Sequence, residues 1–514
     1  MTTEYLLALD AGSGSGRSVL VSTDGRECHA SAMDWSYVYE PEVGPMACHF
    51  DPESFWAVLA RTVRDVLDKA GADGRQVVAV SSTSQREGCV LVDGKGKELY
   101  GGPNRDLRAH VEGDELARAF GDEIYTRTGH FPSGMFAAAR LMWFRRNQPD
   151  LYERASRLLM INDWVLYRLS GVCACEPSNA AETCLFDIGR RSWADDLIEL
   201  LGLRRDLFAD VVAPGTRIGA VSAAAAEATG LKVGTPVVAG GADTQCGVLG
   251  SGAIDDGDLA VIAGTTAPLQ LVLADLTIDP GGRMWSAPFL SADRFVLESN
   301  AGGAGTVYRW CLDNFRPASE APADAGDRYA QLNRAAESVP PGALGARSFL
   351  GVTVMDARNV RFHSSSTLEL AQLVFHGDTQ AAVGRAILES LAFAARANAD
   401  QIASAAPAGI ARVTACGGLT RSTLYVQLLA ACMETTIRVP RWREGSGIGA
   451  AVCAGVGAGV FADLGDGQGT LVTADLEIEP DPALVSAYRD LYASWRRDYA
   501  RLRAIIGSQP PSVN

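Results

Sequence analysis

The stretch Leu6 to Ser22, LLALDAGSGSGRSVLVS, runs from an apolar strand pattern into an acid, three alternating glycines and an arginine. A dinucleotide fingerprint needs its glycines to open a helix, so that the pyrophosphate meets a helix N-terminus. Here Gly12, Gly14 and Gly16 lead into Arg17-Ser18-Val19-Leu20-Val21-Ser22, a β-prone run ending at the turn signal Asp24-Gly25. A P-loop needs a lysine after its last glycine, and this loop has none. The pattern is therefore strand, turn, strand. Glycines at such a tip let backbone N–H groups approach a phosphate, and Asp10 ends the first strand where phosphate and metal would arrive. From this stretch alone, an ordinary hairpin with a flexible tip stays open as well.

The whole chain narrows the setting. Its 514 residues suffice for two or more cores. A hydrophobic content of 47% with 21% charged residues marks a folded globular protein. The net charge of -15 comes without any basic cluster, which disfavours nucleic acid as a partner. The chain starts Met-Thr-Thr-Glu without a basic or apolar leader, and no unbroken apolar span reaches about 18 residues, so a cytoplasmic protein without a membrane segment is expected. The eleven cysteines are dispersed without a C-x-x-C pair, as suits reduced thiols; Cys173 and Cys175 are too close for ordinary metal spacing.

The opening pattern recurs. LAVIAGTTAPLQLVL, Leu259 to Leu273, is again apolar strand, glycine-threonine turn, apolar strand, with Gly264-Thr265-Thr266 in the place of Gly12-Ser13. Between the two copies, VVAGGADTQCGVLGSGAI (Val237 to Ile254) carries a strand into Gly240-Gly241 and delivers Asp243 at its end. Open α/β sheets place ligand chemistry at such a point, although a turn aspartate capping a helix would read alike. In VTACGGLTRSTLYVQLLAACM (Val413 to Met433), a strand meets Gly417-Gly418 before Leu424, Leu428 and Leu429 recur at helical spacing. That is a turn able to cover a nucleotide, or a plain connection.

Taken in order, these pieces resemble the FGGY carbohydrate kinases. Asp10-x-Gly12-Ser13 with Arg17 is similar to the family's first phosphate motif, with serine for the usual threonine. Gly240-Gly241-Ala242-Asp243 resembles its catalytic-aspartate segment, Ala263-Gly264-Thr265-Thr266 its second phosphate motif, and Gly417-Gly418 with Arg421, Ser422 and Gln427 its adenosine segment. EGSGIGAAVCAGVGAGVF (Glu444 to Phe461), INDWVLYRLSG and EPSNAAET (within Ile161 to Thr183), and the Arg385-to-Glu389 R-A-x-L-E pattern resemble further family segments. The departures are Ala137 and Arg140, where lysine is usual at the latter; Ala431-Cys432, where Ala-Asp is usual; and Gln372, where glycine is common.

The resemblance implies an α/β fold of two ribonuclease H-like (actin-like ATPase) domains, mixed sheets flanked by helices with an interdomain cleft. Residues 1–250 would form a substrate- and phosphate-binding domain, 251–480 an ATP-binding domain, and 481–514 a C-terminal helix and disordered tail. It implies ATP and Mg²⁺, with Asp243 as catalytic base and Asp10 and Asp243 on the metal. Gly12, Ser13, Gly14, Arg17, Gly264, Thr265, Thr266, Gly417 and Gly418 would bind ATP. Gln85, Arg86, Glu87, Asp243 and Thr244 would bind the acceptor, a small sugar, polyol or hydroxyketone. SSTSQREGCVLVDGKGKEL (Ser81 to Leu99) and its company are most similar to family members that phosphorylate the linear autoinducer-2 precursor. Xylulose or another pentulose, glycerol and erythritol are alternatives; an idle actin-like nucleotide switch is the alternative of another class. Asp106 and Arg108 resemble a supporting D-x-R element, no histidine is given a catalytic role, and family habit implies a homodimer.

The C-terminal pattern Tyr488, Leu491, Tyr492, Trp495, Tyr499 and Leu502 predicts a helix packed on a domain or at a subunit face.

Overall fold

A computed structural model describes residues 3–315, 325–359, 366–371, 378–406 and 408–507. Gln372 and the tail beyond Gly507 lie outside the described residues. The chain divides into two compact units, neither continuous in sequence. The first holds residues up to Asp256, Val272–Leu297 and Glu444–Thr473; the second holds Gly257–Leu271, Glu298–Arg443 and the chain from Ala474 onward.

In the first unit, β1 (Tyr5–Ala11), β2 (Ser15–Ser22), β3 (Cys28–Asp34), β4 (Val77–Ser84), β5 (Arg217–Ala220) and β6 (Pro236–Ala242) form one sheet in the order β5-β6-β4-β1-β2-β3. β1 is antiparallel to β2 but parallel to β4, which is parallel to β6, so the sheet is mixed. All seven residues of β1 are buried because helices cover both faces. Alternation sends Leu7 and Leu9 into one core with Phe55, Leu59 and Val63 of α1 (Pro52–Ala70). On the other face, Leu6 meets Gly455 of the helix Gly445–Gly457. α1 is well delimited: Asp51 accepts from Ser54 N at 3.1 Å, Pro52 follows the cap, and Gly71 ends the helix at φ 61. The remaining helices of use below are α2 (His110–Thr128), α3 (Ile161–Ser170), α4 (Pro177–Ala181) and α5 (Asp243–Ser251).

The glycine and alanine richness of Gly445–Gly457 has a packing cause. A Cβ on Gly449 would stand 1.9 Å from Cys246 O of α5, and one on Gly250 would stand 2.0 Å from Gly445 O. The two helices touch backbone to backbone, which only glycine permits.

The second unit repeats the plan. β7 (Asp258–Ile262), β8 (Thr266–Leu273), β9 (Phe295–Gly303), β10 (Arg412–Cys416), β11 (Ile437–Pro440) and β12 (Ala474–Ile478) run in the order β9-β8-β7-β10-β11-β12. Again a hairpin, β7 and β8, sits beside a parallel neighbour, β10, then a second, β11, and an antiparallel edge. Its helices include α6 (Gly305–Asn314), α7 (Thr379–Ala405), α8 (Thr423–Met433) and α9 (Pro482–Gly507). α9 is the C-terminal helix expected from the aromatic spacing, and it packs on this unit. Tyr488 is buried against Arg385 and Glu389 of α7, donating to Glu389 Oε1 at 2.8 Å, while Trp495 Nε1 donates to Ser390 Oγ at 3.1 Å. The R-A-x-L-E pattern is thus a buried i,i+4 ion pair, Arg385 Nε to Glu389 Oε1 at 2.9 Å, that anchors the last helix.

All eleven cysteines are free thiols, and nine are buried. Among the described residues, no helix is long and apolar enough to cross a membrane.

Candidate active site

Three adjacent parallel strands of the first unit end at one edge. Ala11 of β1 pairs with Ser84 of β4, and Ser84 with Ala242 of β6. The next residues along the chain, or the strand end itself, are Asp10, Gln85-Arg86-Glu87 and Asp243. The C-terminal edge of parallel strands is where α/β sheets gather ligand-binding groups.

Asp10 is buried, and its carboxylate meets Arg17 Nη1 at 3.4 Å across the β1–β2 pair. Burial pushes its pKa above the ordinary carboxylate value, against the pull of Arg17. A buried carboxylate so weakly compensated is suited to a hard cation, which takes oxygen ligands. Among the described residues no cluster of three or more His, Cys, Asp or Glu forms a metal cage. Magnesium does not require one, since it binds through one or two carboxylates plus phosphate oxygens and water.

The hairpin tip Gly12-Ser13-Gly14 is braced from its flank by side chains. Tyr37 OH donates to Ser13 O at 2.7 Å, Gln85 Nε2 donates to Gly12 O at 3.2 Å, and Asn104 Nδ2 donates to Ser13 Oγ at 3.1 Å. Gln85 Oε1 accepts from Asn104 N at 3.1 Å, so both ends of the Gln85 amide serve this brace. A Cβ on Gly14 would meet nothing within 4 Å, whereas one on Gly16 would stand 2.9 Å from the Trp35 ring. Gly14 therefore leaves the tip open, while Gly16 answers to packing inside β2.

Arg86 and Glu87 follow in the turn after β4, both buried. Glu87 has φ 61, a left-handed conformation that costs a non-glycine residue roughly 1–2 kcal/mol. Such strain at a buried carboxylate is characteristic of functional sites. Arg86 Nη1 meets Glu182 Oε1 at 3.3 Å, and its guanidinium lies 5.3 Å from the Trp285 ring centroid. Glu182 in turn faces His130, with Nε2 to Oε2 at 3.3 Å. Burial pushes the Glu182 carboxyl up, but the charges of His130 and Arg86 outweigh it and hold the group below its ordinary value.

Asp243 is half-buried as the first residue of α5. Its carbonyl accepts from Ser446 Oγ at 2.8 Å. The N–H of Ala242 just before it donates to Ser178 Oγ at 2.9 Å, and Ser178 Oγ donates to Glu176 Oε2 at 2.5 Å. Glu176 also caps α4 through Ser178 N and Asn179 N. Burial pushes the Glu176 pKa up to about 7. The glycines before Asp243 are again a matter of space, since a Cβ on Gly240 would stand 2.0 Å from Ser82 O. Thr244 is buried and spends its hydroxyl on Gln245 Oε1 at 2.7 Å.

In the second unit the tip Ala263-Gly264-Thr265 is held by main chain. Gly305 N donates to Gly264 O at 2.9 Å, Ala304 N to Thr265 O at 3.0 Å and Leu419 N to Ala263 O at 3.1 Å. Gly417 stands beside the tip at φ 98, where a Cβ would come within 2.5 Å of Ala263 O. Gly264 and Gly418 are open: a Cβ on Gly418 would meet nothing within 4 Å, and one on Gly264 only Thr266 O at 3.9 Å. Gly264, Thr265, Thr266, Gly417 and Gly418 thus lie at one end of β7 and β10.

The departure at Arg140 has a structural cause. Arg140 is fully buried and donates to Met135 O at 2.5 Å, Pro103 O at 3.0 Å and Gly102 O at 3.4 Å, fixing the loop that carries Asn104. Asp106 and Arg108 form a buried pair at 2.6 Å, with Arg108 also on Glu40 at 2.5 Å, and act as support. Sequence reasoning did not find Tyr37, Asn104, His130, Glu176, Ser178, Glu182 or Trp285. Ser178 and Glu182 sit inside the quoted EPSNAAET segment, but nothing local distinguishes Tyr37, His130 or Trp285.

A mixed-sheet unit present twice, each with a glycine hairpin and one with carboxylates at the strand ends, is the arrangement of a nucleotide-binding protein. Residues 5–250 match the N-terminal domain and residues 259–458 the C-terminal domain of the FGGY family of carbohydrate kinases, and the chain belongs to that family. It is 32% identical over 508 residues to the autoinducer-2 kinase of Salmonella paratyphi B, covering 98% of this chain and 95% of the relative. The crystal structure of gluconate kinase from Lactobacillus acidophilus matches it with a TM-score of 0.82 at 19% identity, covering 99% of each chain. That of xylulose kinase from Rhodospirillum rubrum matches with a TM-score of 0.80 at 24% identity, covering 98% of this chain and 99% of the other. The fold is that of the actin-like ATPases, and the chain is an ATP-using phosphotransferase acting on a sugar.

Proposed function

We propose that this protein transfers the γ-phosphoryl group of ATP to a hydroxyl of a small linear hydroxyketone of the autoinducer-2 precursor type. Xylulose or another pentulose, glycerol and erythritol are the other acceptors to be tested. The observation that carries the reading is the meeting of Asp10, Gln85-Arg86-Glu87 and Asp243 at the ends of three neighbouring parallel strands. The full-length likeness to the autoinducer-2 kinase favours the hydroxyketone.

Phosphoryl transfer asks the protein for position and charge more than for covalent chemistry. Asp243 would accept the proton of the attacking hydroxyl, as a general base within hydrogen-bond reach. Arg86 would donate to acceptor oxygens, and Glu87 would accept from hydroxyls. Gln85, with its amide committed to the hairpin brace, would act by holding the tip. Gly12, Ser13, Gly14 and Arg17 in one unit, and Gly264, Thr265 and Thr266 in the other, would bind phosphate oxygens; Gly417 and Gly418 would leave room for adenosine. Asp10, with Asp243, would hold Mg²⁺, which when bound neutralises the phosphate charge. A cytoplasmic location fits the need for ATP, and a homodimer is carried over from the family.

The test is coupled ADP release with Mg-ATP against the autoinducer-2 precursor, xylulose, ribulose, erythritol, glycerol and gluconate. One acceptor should turn over strongly, and Asp243→Asn should lose about 10²–10⁴ of kcat with ATP binding retained. ATP binding without turnover of any acceptor would favour a nucleotide switch.

A further inference from the structure

His130 carries an argument of its own. Its ring is fully buried, between the end of α2 and the turn after α4. Nδ1 lies 2.9 Å from Thr128 O. A carbonyl oxygen only accepts, so Nδ1 carries a proton. Nε2 then faces Glu182 Oε2 at 3.3 Å. Without a further proton, this contact would set a lone pair against a carboxylate in a site closed to water, a costly arrangement. Neither Nε2 nor Oε2 has a hydrogen-bond partner among the described residues, so the contact stands at an ion-pair distance that a proton on Nε2 would turn into attraction. The second oxygen of Glu182 is taken by Arg86 at 3.3 Å, and Trp285 lies against both cations, 5.1 Å from the His130 ring and 5.3 Å from Arg86. Phe136 closes the His130 ring edge-on at 5.6 Å.

The geometry points to His130 as a positioning residue for the phosphoryl acceptor: doubly protonated, it fixes Glu182, and Glu182 fixes the guanidinium of Arg86. This rests on the reading of Arg86 as an acceptor-binding group. The charges facing the imidazole are Glu182 and Arg86. Near them stand Cys184, whose thiol burial pushes well above its ordinary value, and Glu87, whose charge reaches Cys184. With Glu87 counted, a cationic His130 and Arg86 stand against two carboxylates, so the cluster is balanced in charge.

Two measurements test it. In ¹⁵N-histidine NMR of the whole protein, His130, assigned from the spectrum of His130→Gln, should show both ring nitrogens protonated at about pH 8, where an ordinary histidine is neutral. Glu182→Gln should return it to a neutral ring at that pH. A neutral His130 in the wild type at about pH 7 would overturn the proposal. In kinetics, His130→Phe keeps the ring packing but has no N–H, and should raise the acceptor KM about tenfold while leaving the ATP KM unchanged. His130→Gln, which can still donate to Glu182, should recover most of that loss. Equal damage in both variants, or equal shifts in both substrates, would mean a merely structural role and overturn it. Arg86→Ala separates the underlying reading: an unchanged acceptor KM there refutes Arg86 as a binding group, whereas a raised KM in Arg86→Ala with none in His130→Phe refutes the relay alone.

Discussion

The two glycine hairpins share a three-residue tip and a place beside a parallel strand, yet side chains do most of the holding in the first, beside one main-chain bond from Trp35 N to Gly14 O at 3.2 Å, and main chain does most of it in the second. Ser13 and Gly12 hang from Tyr37, Gln85 and Asn104, side chains brought in from three separate segments. Gly264 and Thr265 hang from the N–H groups of Ala304 and Gly305, and Ala263 from that of Leu419. The difference teaches where each tip is vulnerable. A side-chain brace fails by losing a functional group. A main-chain brace fails only when a backbone is pushed aside.

Arg140→Met attacks the first brace at its root, stranding the carbonyls of Gly102, Pro103 and Met135. It should cost about 3 kcal/mol in urea unfolding, with Arg140→Lys recovering part of it, and it should raise the ATP KM. Gly417→Ala attacks the second. The added methyl meets Ala263 O at 2.5 Å and sits at φ 98, so a loss of about 2 kcal/mol and a weaker ATP affinity by calorimetry are expected. No change in that variant would mean that Ala263 is not held where the backbone bonds place it.

Titration probes a second support in the first unit, the one before Asp243. The Glu176 pKa lies near 7 in the folded chain, raised by burial, against about 4.3 when unfolded. The native state therefore binds the proton more tightly, so this contribution is full below about pH 4.3 and is lost as pH rises toward 7, at up to about 1.4 kcal/mol per pH unit. Wild-type stability relative to Glu176→Gln should fall across that window and then level off; a flat difference would place the carboxyl in water. Tyr37→Phe should cost about 1 kcal/mol and raise the ATP KM a few-fold. Smallest of all, Thr306→Ala removes a side-chain bond to Thr265 O, 3.1 Å long, and should stay within about 0.5 kcal/mol. If Thr306→Ala proved as harmful as Tyr37→Phe, the contrast between the braces would collapse.

Much of this was legible from the chain. The hairpins declared themselves because β-prone residues follow the glycines, and the repeat at Leu259 exposed the second unit. Asp10 and Asp243 could be picked out because an acid at a strand end is a local pattern. The role of each glycine was not legible, since Gly14 is open space, Gly16 faces Trp35 and Gly240 faces a neighbouring carbonyl, distinctions that depend on distant segments. The partner of Arg86 was equally hidden. Glu87 is next in sequence, but the Arg86 guanidinium reaches Glu182, 96 positions away, because α4 returns to the edge of the same sheet. Trp285 comes from a stretch beyond the second hairpin that rejoins the first unit, and no pattern in its own neighbours announces that return.

The return of Glu444–Thr473 to the first unit sets the order of events during synthesis. When the ribosome has finished the first 256 residues, one face of the β1–β2 pair still lacks the helix that will cover Leu6 and Val19. The nascent chain must keep that apolar face from aggregating until nearly 200 more residues have emerged. A fragment ending at Asp256 should accordingly aggregate or bind chaperones, and the peptide 444–473 supplied in trans should rescue it.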